Sequence, residues 1–587
     1  MTAGPGDLLF EVDSPQKLRA LPEELLPELC RRLRQEIVDI CGQVGGHLGA
    51  SLGAVELIVA LHRVFKSPAD ALVFDTGHQA YAHKLLTGRA GGMGTLRQSG
   101  GVAPFLDPTE SAHDAFGAGH ACTAVSAALG ILEGKALRGE EGRAVAVVGD
   151  GSLTGGLTFE GLNNAGASER PLLVVLNDNQ MSISRNVGSI PAALRTQGGA
   201  RALFEAMGFS YVGPVDGHDV LALVAALRPL RGARRPALLH AVTQKGKGFP
   251  AAESDALTRG HAMGPYEWRD GKLVRSRGPG QRTFSEAFAG ALEARMAADR
   301  SVAVVTPAML EGSALTGLKA RFPDRVFDVG IAEQHAVTFG AGLARAGMRP
   351  VCCLYSTFLQ RAYDQVVHDV CVQGLPVVLA VDRAGLVGAD GATHQGAYDV
   401  SFLRPLPGML LCAPVLGEDL GPLLDAALAH PGPSAIRFPR GTLPAVPPEV
   451  EVPGQAVAPG TARWLRRAKE PALALVALGT PALAALEAAR DRPSWSVLDA
   501  RFAAPLDREA VLEAARCGRV VTVEEGTRRG GLGSAVLEAL AEAGASARVR
   551  VLGLPDQPVR HGDARAQRAE LGLDAAGIRR AAEELLG

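Results

Sequence analysis

The sequence predicts an α/β protein of several domains, each built on a mostly parallel sheet flanked by helices. Three observations carry that prediction. The 587 residues are too many for one core and allow about three or four domains of roughly 100 to 200 residues each. Short apolar runs bounded by Gly, Asp or Asn recur along the chain, and Ala/Leu-rich stretches with helical spacing lie between them. Runs that are apolar on both faces belong to strands of parallel sheets covered by helices.

Taken in order, a helical stretch at 120–137 precedes the strands AVAVV at 144–148 and LLVVL at 172–176. Residues 270–282, rich in Gly, Arg and Lys, read as a linker before a second block that opens at Thr283. That block has helical spacing at 283–298 and 333–346 and strands at 303–305 (AVV) and 376–381 (PVVLAV). The segment 444–460 is too proline-rich for a helix and reads as an extended connector. A smaller third block follows, with strands ALALVAL (472–478) and RVVTVEE (519–525) and a helix at 534–543. The longest uncharged apolar stretch, Pro471 to Leu486, is interrupted by Gly479-Thr480-Pro481, so it reads as strand, turn and helix and not as a membrane span. No short-period repeat is present.

Composition narrows the function classes. The 60 Lys and Arg nearly cancel the 62 Asp and Glu, which leaves no basic field to attract nucleic acid or an anionic membrane. An anionic ligand must be met locally. Eight cysteines, with no CxxC pair, suggest neither a zinc knuckle nor a disulfide framework and fit a reducing cytoplasm. Charges at Asp7, Glu11 and Asp13 fall where a signal peptide would need an apolar core.

Nucleotide signatures fail. GAGHAC (117–122), GAGLAR (340–345) and GLGSAV (531–536) lack the third glycine of the dinucleotide fingerprint, and near Gly312 the lysine of a P-loop is misplaced. The stronger signal is Gly149-Asp150-Gly151 directly after AVAVV, with Asn177-Asp178-Asn179 directly after LLVVL. Adjacent strand ends can bring Asp150 and Asn179 onto one site at the carboxyl edge of the sheet. Two hard oxygen ligands are too few to cage a metal, which suits Mg²⁺ completing its octahedron with the oxygens of a diphosphate and water. Either motif alone is as readily a turn. Glu333, in DVGIAEQH (328–335), starts an apolar helical stretch, where a lone Glu is ordinarily a helix N-terminal charge. Histidines 47, 78, 120, 261 and 394 all sit beside Gly or in turn-like settings, and composition assigns them no role.

GDG, then NDN, then GIAEQH is the order seen in transketolase-like thiamine diphosphate enzymes. GGHLGASLGAVEL (45–57), FDTGHQAYAHKLLTGR (74–89), ESAHDAFGAGHACTAVSAALG (110–130), LNDNQMSIS (176–184), YVGPVDGHD (211–219), YSTFLQRAYDQ (355–365), DRAGLVGADGATHQG (382–396) and FPRG (438–441) narrow it. Over almost its whole length the chain resembles the 1-deoxy-D-xylulose-5-phosphate synthase family. The resemblance implies a three-domain transketolase-like fold, with a diphosphate-binding domain over 1–280, a pyrimidine-binding domain over 281–455 and a C-terminal transketolase-like domain over 456–587. It implies thiamine diphosphate and Mg²⁺ as cofactors, pyruvate and D-glyceraldehyde 3-phosphate as substrates, a cytoplasmic homodimer, and 1-deoxy-D-xylulose 5-phosphate as product, a precursor of isoprenoids, thiamine and pyridoxal. Asp150, Asn179 and the carbonyl of Met181 match the Mg²⁺ ligands. His78, Gly119, His120, Ala121, Gly151, Ser152, Asn179, Phe249 and Phe358 match positions that line the cofactor. Glu333 matches the glutamate that hydrogen-bonds the aminopyrimidine ring. His47 and His394 match groups placed for proton transfers near substrate, a task suited to imidazole at neutral pH. Tyr355, Arg361, Asp390 and Arg440 match substrate-side positions.

Three departures stand out. Phe249 replaces the family's usual tyrosine, Ala121-Cys122 replaces Ser-Ser, and between residue 184 and Phe204 a long insertion common in the family is absent. Loops of that kind are often active-site lids. Among rivals, transketolase itself takes ketose phosphate donors, and segments 355–365 and 382–396 favour the synthase. A two-component 2-oxoacid dehydrogenase resembles the chain more distantly. A non-catalytic cofactor binder would be expected to lack the carboxylate that Glu333 supplies.

Overall fold

The structure is a computed structural model and describes residues 12–181, 186–255, 258–261, 263–269, 272–275, 281–450, 452 and 457–587. The charges at Asp7 and Glu11, residues 182–184 of the LNDNQMSIS motif, and the boundary residues 280, 455 and 456 lie outside these.

Two compact units form, Met1–Gly278 with Gly330–Ala332, and Pro279–Val329 with Glu333–Gly587. The first unit contains a five-stranded sheet made of β1 (Ala71–Phe74), β2 (Ala144–Gly149), β3 (Leu173–Asp178), β4 (Ser210–Asp216) and β5 (Ala237–Val242). Its order is β1-β2-β3-β5-β4 and every pairing is parallel. Alternate residues serve opposite cores: Val145 and Val147 pack with Leu72 and Phe74 on one face, Ala144, Ala146 and Val148 with Val73 and Leu176 on the other. This is why these runs read as unbroken apolar stretches.

The linker expected over 270–282 is corrected in part, since β6 (Tyr266–Arg269) and β7 (Lys272–Arg275) pair antiparallel. Asp270-Gly271, between them in sequence, is a strong short-hairpin signal that composition alone obscured.

The second unit holds two sheets. One comprises β8 (Val302–Thr306), β9 (Val326–Asp328), β10 (Arg349–Tyr355), β11 (Val378–Asp382), β12 (Leu410–Cys412) and β13 (Ser434–Arg437); the other comprises β14 (Arg463–Arg466), β15 (Leu473–Ala477), β16 (Trp495–Asp499), β18 (Arg519–Thr527) and β19 (Arg548–Leu554). Between β16 and β18 in sequence, β17 (Phe502–Ala504) leaves its neighbours and pairs antiparallel with β12 at the edge of the earlier sheet. One core is common to both, with Leu379, Val381 and Leu411 packed among Ala474, Val476 and Leu498. The protein is thus a three-domain α/β fold on mostly parallel sheets in which the second and third domains form one compact unit. The helix Phe284–Ala298 opens this unit with a capping box: Glu286 N–H donates to Thr283 Oγ1 at 3.2 Å and Thr283 N–H to the Glu286 carboxylate at 2.7 Å.

Candidate active site

The first unit gathers its candidate residues at the carboxyl ends of β1, β2 and β3. Asp150 directly follows β2, Asn179 directly follows β3, and Gly149 pairs in register with Asn177. Asp150 is 2% exposed; its Oδ2 accepts from Asn186 Nδ2 at 2.8 Å, and its Oδ1 has no hydrogen-bond partner among the described residues. Burial, with the neighbouring Asp178 carboxylate, pushes its carboxyl well above the usual range. A buried carboxylate with an orphan oxygen beside a second carboxylate is stabilised by a cation. Asn179 Oδ1 accepts from Met181 N–H at 3.1 Å, a local turn that holds these two candidates together and leaves the amide oxygen a second lone pair. The donors are all oxygen, as Mg²⁺ prefers, and among the described residues no group of three or more His, Cys, Asp or Glu could hold a metal unaided. The residues therefore fit Mg²⁺ that shares a diphosphate.

Behind them, Asp178 Oδ2 lies 3.0 Å from His240 Nε2, and Tyr211 Oη lies 2.7 Å from His240 Nδ1. On the other side, the Tyr81 hydroxyl accepts the His47 backbone N–H at 3.0 Å, and the His47 ring stands 6.0 Å from those of both His78 and His261. Lys245 Nζ lies 2.9 Å from His261 Nδ1. Gly119, at φ +143°, and Cys122, at φ +75°, shape the turn that carries His120 and Ala121. The left-handed Cys122 also explains why the helix expected from residue 120 begins at Ala124. Phe249 is buried and packs on Tyr266 at 5.9 Å between ring centroids, so the ring contact persists without a hydroxyl.

Burial first, and then the charge of Lys245, depress His78 to about 3. A folded pKa below the unfolded value of about 6.5 contributes stability that is present above pH 6.5 and is lost as pH falls toward 3. Between pH 7 and 5.5, His78 should cost the apo protein about 1 kcal/mol. Denaturant titrations at the two pH values should show a smaller difference for His78→Gln; an unchanged difference would contradict an imidazole held neutral in the fold.

In the second unit, Glu333 is the first residue of the helix Glu333–Arg345 and is 1% exposed. Arg361 Nη1 donates to its Oε2 at 3.0 Å. Arg440 Nη1 donates to Asp390 Oδ2 at 2.9 Å. Both arginines thus bond to carboxylates that are themselves candidate site residues. Tyr355, the last residue of β10, stacks on Phe358 at 5.7 Å, and the His394 ring meets Phe358 edge-on at 5.5 Å. Thr357 Oγ1 donates to the Thr393 carbonyl at 2.9 Å and so ties this aromatic group to the loop that bears His394. Burial pushes the Tyr355 hydroxyl up to about 12, and the Arg383 guanidinium covers its ring at 3.9 Å.

Sequence profiles for known families match in the order of the three blocks: "1-deoxy-D-xylulose-5-phosphate synthase" over 9–202 and 195–243, "Transketolase, pyrimidine binding domain" over 281–446, and "Transketolase, C-terminal domain" over 461–578. The 1-deoxy-D-xylulose-5-phosphate synthase of Myxococcus xanthus is 70% identical over 580 residues, which span 99% of each chain. The chain belongs to the 1-deoxy-D-xylulose-5-phosphate synthase family. That makes it a transketolase-type transferase. The synthase of Anaeromyxobacter sp. (strain Fw109-5) is 51% identical over 631 positions, covering 99% of each chain, and that of Geobacter sulfurreducens is 44% identical over 626, covering 99% of this chain and 97% of its own. Those alignments are longer than the 587 residues here, so these relatives carry insertions, whereas the Myxococcus alignment does not exceed this length. A member of similar length is thus found in this synthase family. Beyond residues 182–185, the helices Ser189–Arg195 and Gly199–Ala206 occupy the shortened segment.

Sequence reasoning missed Tyr81, Asp178, Asn186, His240, Lys245 and Arg383 as parts of these clusters, and Asp75, whose carboxylate accepts the Ser152 hydroxyl and the Cys122 N–H. Asp178 was visible as the middle of NDN, and Asp75 lies three residues before His78 in a quoted motif. Tyr81 lies in the same 74–89 segment, whereas Asn186 carried no local signal.

Proposed function

We propose that this chain is a thiamine diphosphate- and Mg²⁺-dependent 1-deoxy-D-xylulose-5-phosphate synthase that joins pyruvate to D-glyceraldehyde 3-phosphate with loss of carbon dioxide. The observation that carries this reading is 70% identity along 99% of both chains to a synthase of that name. The product would feed isoprenoid, thiamine and pyridoxal synthesis. We read the protein further as a cytoplasmic homodimer with domains over 1–280, 281–455 and 456–587; a concentration-independent monomer in light scattering would contradict the dimer.

Asp150, Asn179 and the Met181 carbonyl would hold Mg²⁺, with His78, Gly119, His120, Ala121, Gly151, Ser152, Phe249 and Phe358 lining the cofactor and Glu333 facing its aminopyrimidine. The cofactor supplies the electron sink for decarboxylation, and the protein supplies binding, orientation and electrostatics. The Glu333 carboxylate accepts a hydrogen bond that it strengthens by its charge. The ring nitrogens of His47 and His394 hold and move protons near substrate. The test is product analysis with Mg²⁺, thiamine diphosphate, pyruvate and glyceraldehyde 3-phosphate. A pentulose phosphate formed together with carbon dioxide is expected; turnover only with ketose phosphate donors would overturn the reading in favour of transketolase.

Arg361 and Arg440 would take the acceptor phosphate, which a guanidinium can bind through two oxygens. Removing one side of a desolvated charge pair costs on the order of 2 to 5 kcal/mol. The Arg440 side chain is 41% exposed and that of Arg361 13%, so solvent screens Arg440 more. Arg361→Ala should raise the KM for glyceraldehyde 3-phosphate by more than tenfold and also lower kcat, because its partner is Glu333. Arg440→Ala should raise the same KM with less effect on kcat. If both variants keep the parent's preference for phosphorylated over unphosphorylated glyceraldehyde, these arginines are not the phosphate site.

A further inference from the structure

Asp75 closes β1 in register, its backbone N–H donating to the Val147 carbonyl of β2 at 2.8 Å, and it is 1% exposed. Its carboxylate joins two loops. Oδ1 accepts the Cys122 N–H at 2.8 Å and the Ser152 hydroxyl at 2.5 Å, and Oδ2 accepts the Ala124 N–H at 3.1 Å. Ala124 is the first residue of the helix Ala124–Leu137, so the carboxylate also neutralises that helix's positive end. Gly119 to Ala121 lie immediately before one of these bonds, and Gly151 and Ser152 lie at the other. Three residues further along the chain from Asp75 is His78.

The bond to Ser152 has a chemical consequence. A serine hydroxyl carries a single proton, and that proton is directed to Asp75. The Ser152 carbonyl accepts from Thr158 Oγ1 at 2.8 Å and from Cys122 Sγ at 3.5 Å. A diphosphate oxygen offers only lone pairs, so the hydroxyl of Ser152 has nothing to donate to it. Any hydrogen bond from Ser152 to a diphosphate must then come from its backbone N–H.

From this arrangement we infer that Asp75 is a positioning residue which sets the 119–122 turn for the cofactor through the Cys122 and Ala124 N–H groups, and that the Ser152 hydroxyl is spent on this carboxylate and does not contact the diphosphate. The inference rests on the reading that thiamine diphosphate binds here. A carboxylate is required because both oxygens accept from N–H donors. In the Asp75→Asn variant the side-chain amide would turn an NH₂ toward at least one of them, which leaves two donors facing each other in a buried place.

Calorimetric titration of the full chain with thiamine diphosphate and Mg²⁺ tests it, together with amide hydrogen exchange over 117–125. Parent protein that binds no thiamine diphosphate would sink the functional reading itself, and binding by the parent isolates the present inference. Asp75→Asn should weaken cofactor affinity more than tenfold and lose exchange protection at Cys122 and Ala124 while protection in β3 and β5 stays. Ser152→Ala should keep affinity within about threefold, since its N–H is unchanged and Asp75 keeps the N–H groups of Cys122 and Ala124. Asp75→Asn binding within threefold of the parent overturns the positioning role. A tenfold loss in Ser152→Ala overturns the assignment of its hydroxyl, and this second variant decides that point even if Asp75→Asn does not fold.

Discussion

Glu333→Gln is expected to leave the fold and most of the cofactor affinity intact while lowering kcat by roughly 10²- to 10⁴-fold, the range in which positioned acid/base groups contribute. The amide is nearly isosteric with the carboxylate and can still accept one hydrogen bond, but it brings no charge. Arg361, bonded to Glu333 at 3.0 Å, would lose its ionic partner as well, so part of the loss should appear in the KM of the phosphorylated acceptor. Steady-state kinetics beside calorimetric cofactor affinity separate the two effects. Turnover near that of the parent would remove Glu333 from the chemistry.

Asp150→Ala should abolish binding of thiamine diphosphate with Mg²⁺, because one amide oxygen and one carbonyl are too weak a protein share of the metal's shell. Its effect on the apo protein should have the opposite sign to that of most buried substitutions. Asp150 is a buried carboxyl group with one orphan oxygen and a second carboxylate at hand, so its removal relieves the cost of burying that group. The apo Tm should therefore hold or rise, while the rise in Tm that cofactor brings to the parent disappears. Thermal scans with and without cofactor read both; an undiminished cofactor-induced rise would show that the metal is held elsewhere.

The features legible in the sequence are those that one local pattern encodes. Strands β2, β3, β11, β15 and β18 stand out because strands buried on both faces are written as unbroken apolar runs. Asp150 and Asn179 stand out because each lies in a short polar motif that directly follows such a run. Strand β17 has only three residues, and its partner β12 is far away in sequence, so nothing local marks it. The role of Asp75 is as hard to read: an aspartate after a strand reads as a turn, and the Cys122, Ala124 and Ser152 groups that donate to it lie 47 to 77 residues further along. The pairing of Arg361 with Glu333 and of Arg440 with Asp390 joins residues 28 and 50 apart, which the sequence could only place in the same block.

The return of Phe502–Ala504 to the edge of the earlier sheet gives synthesis of this chain a timetable. Strand β12 leaves the ribosome complete at Cys412, and the strand that covers it follows about ninety residues later. At roughly 5 to 20 residues per second, β12 waits about 5 to 20 s with its hydrogen-bonding edge bare. Over the same interval Leu411, Val381 and Leu379 lack Ala474, Val476 and Leu498, the other half of their core. The nascent middle domain is thus a sheet with an open edge and an unfilled face, the state in which chains pair with the wrong neighbour. The connector at 444–460 separates the two halves in sequence, and its five prolines interrupt the row of backbone N–H donors that a stray strand would need.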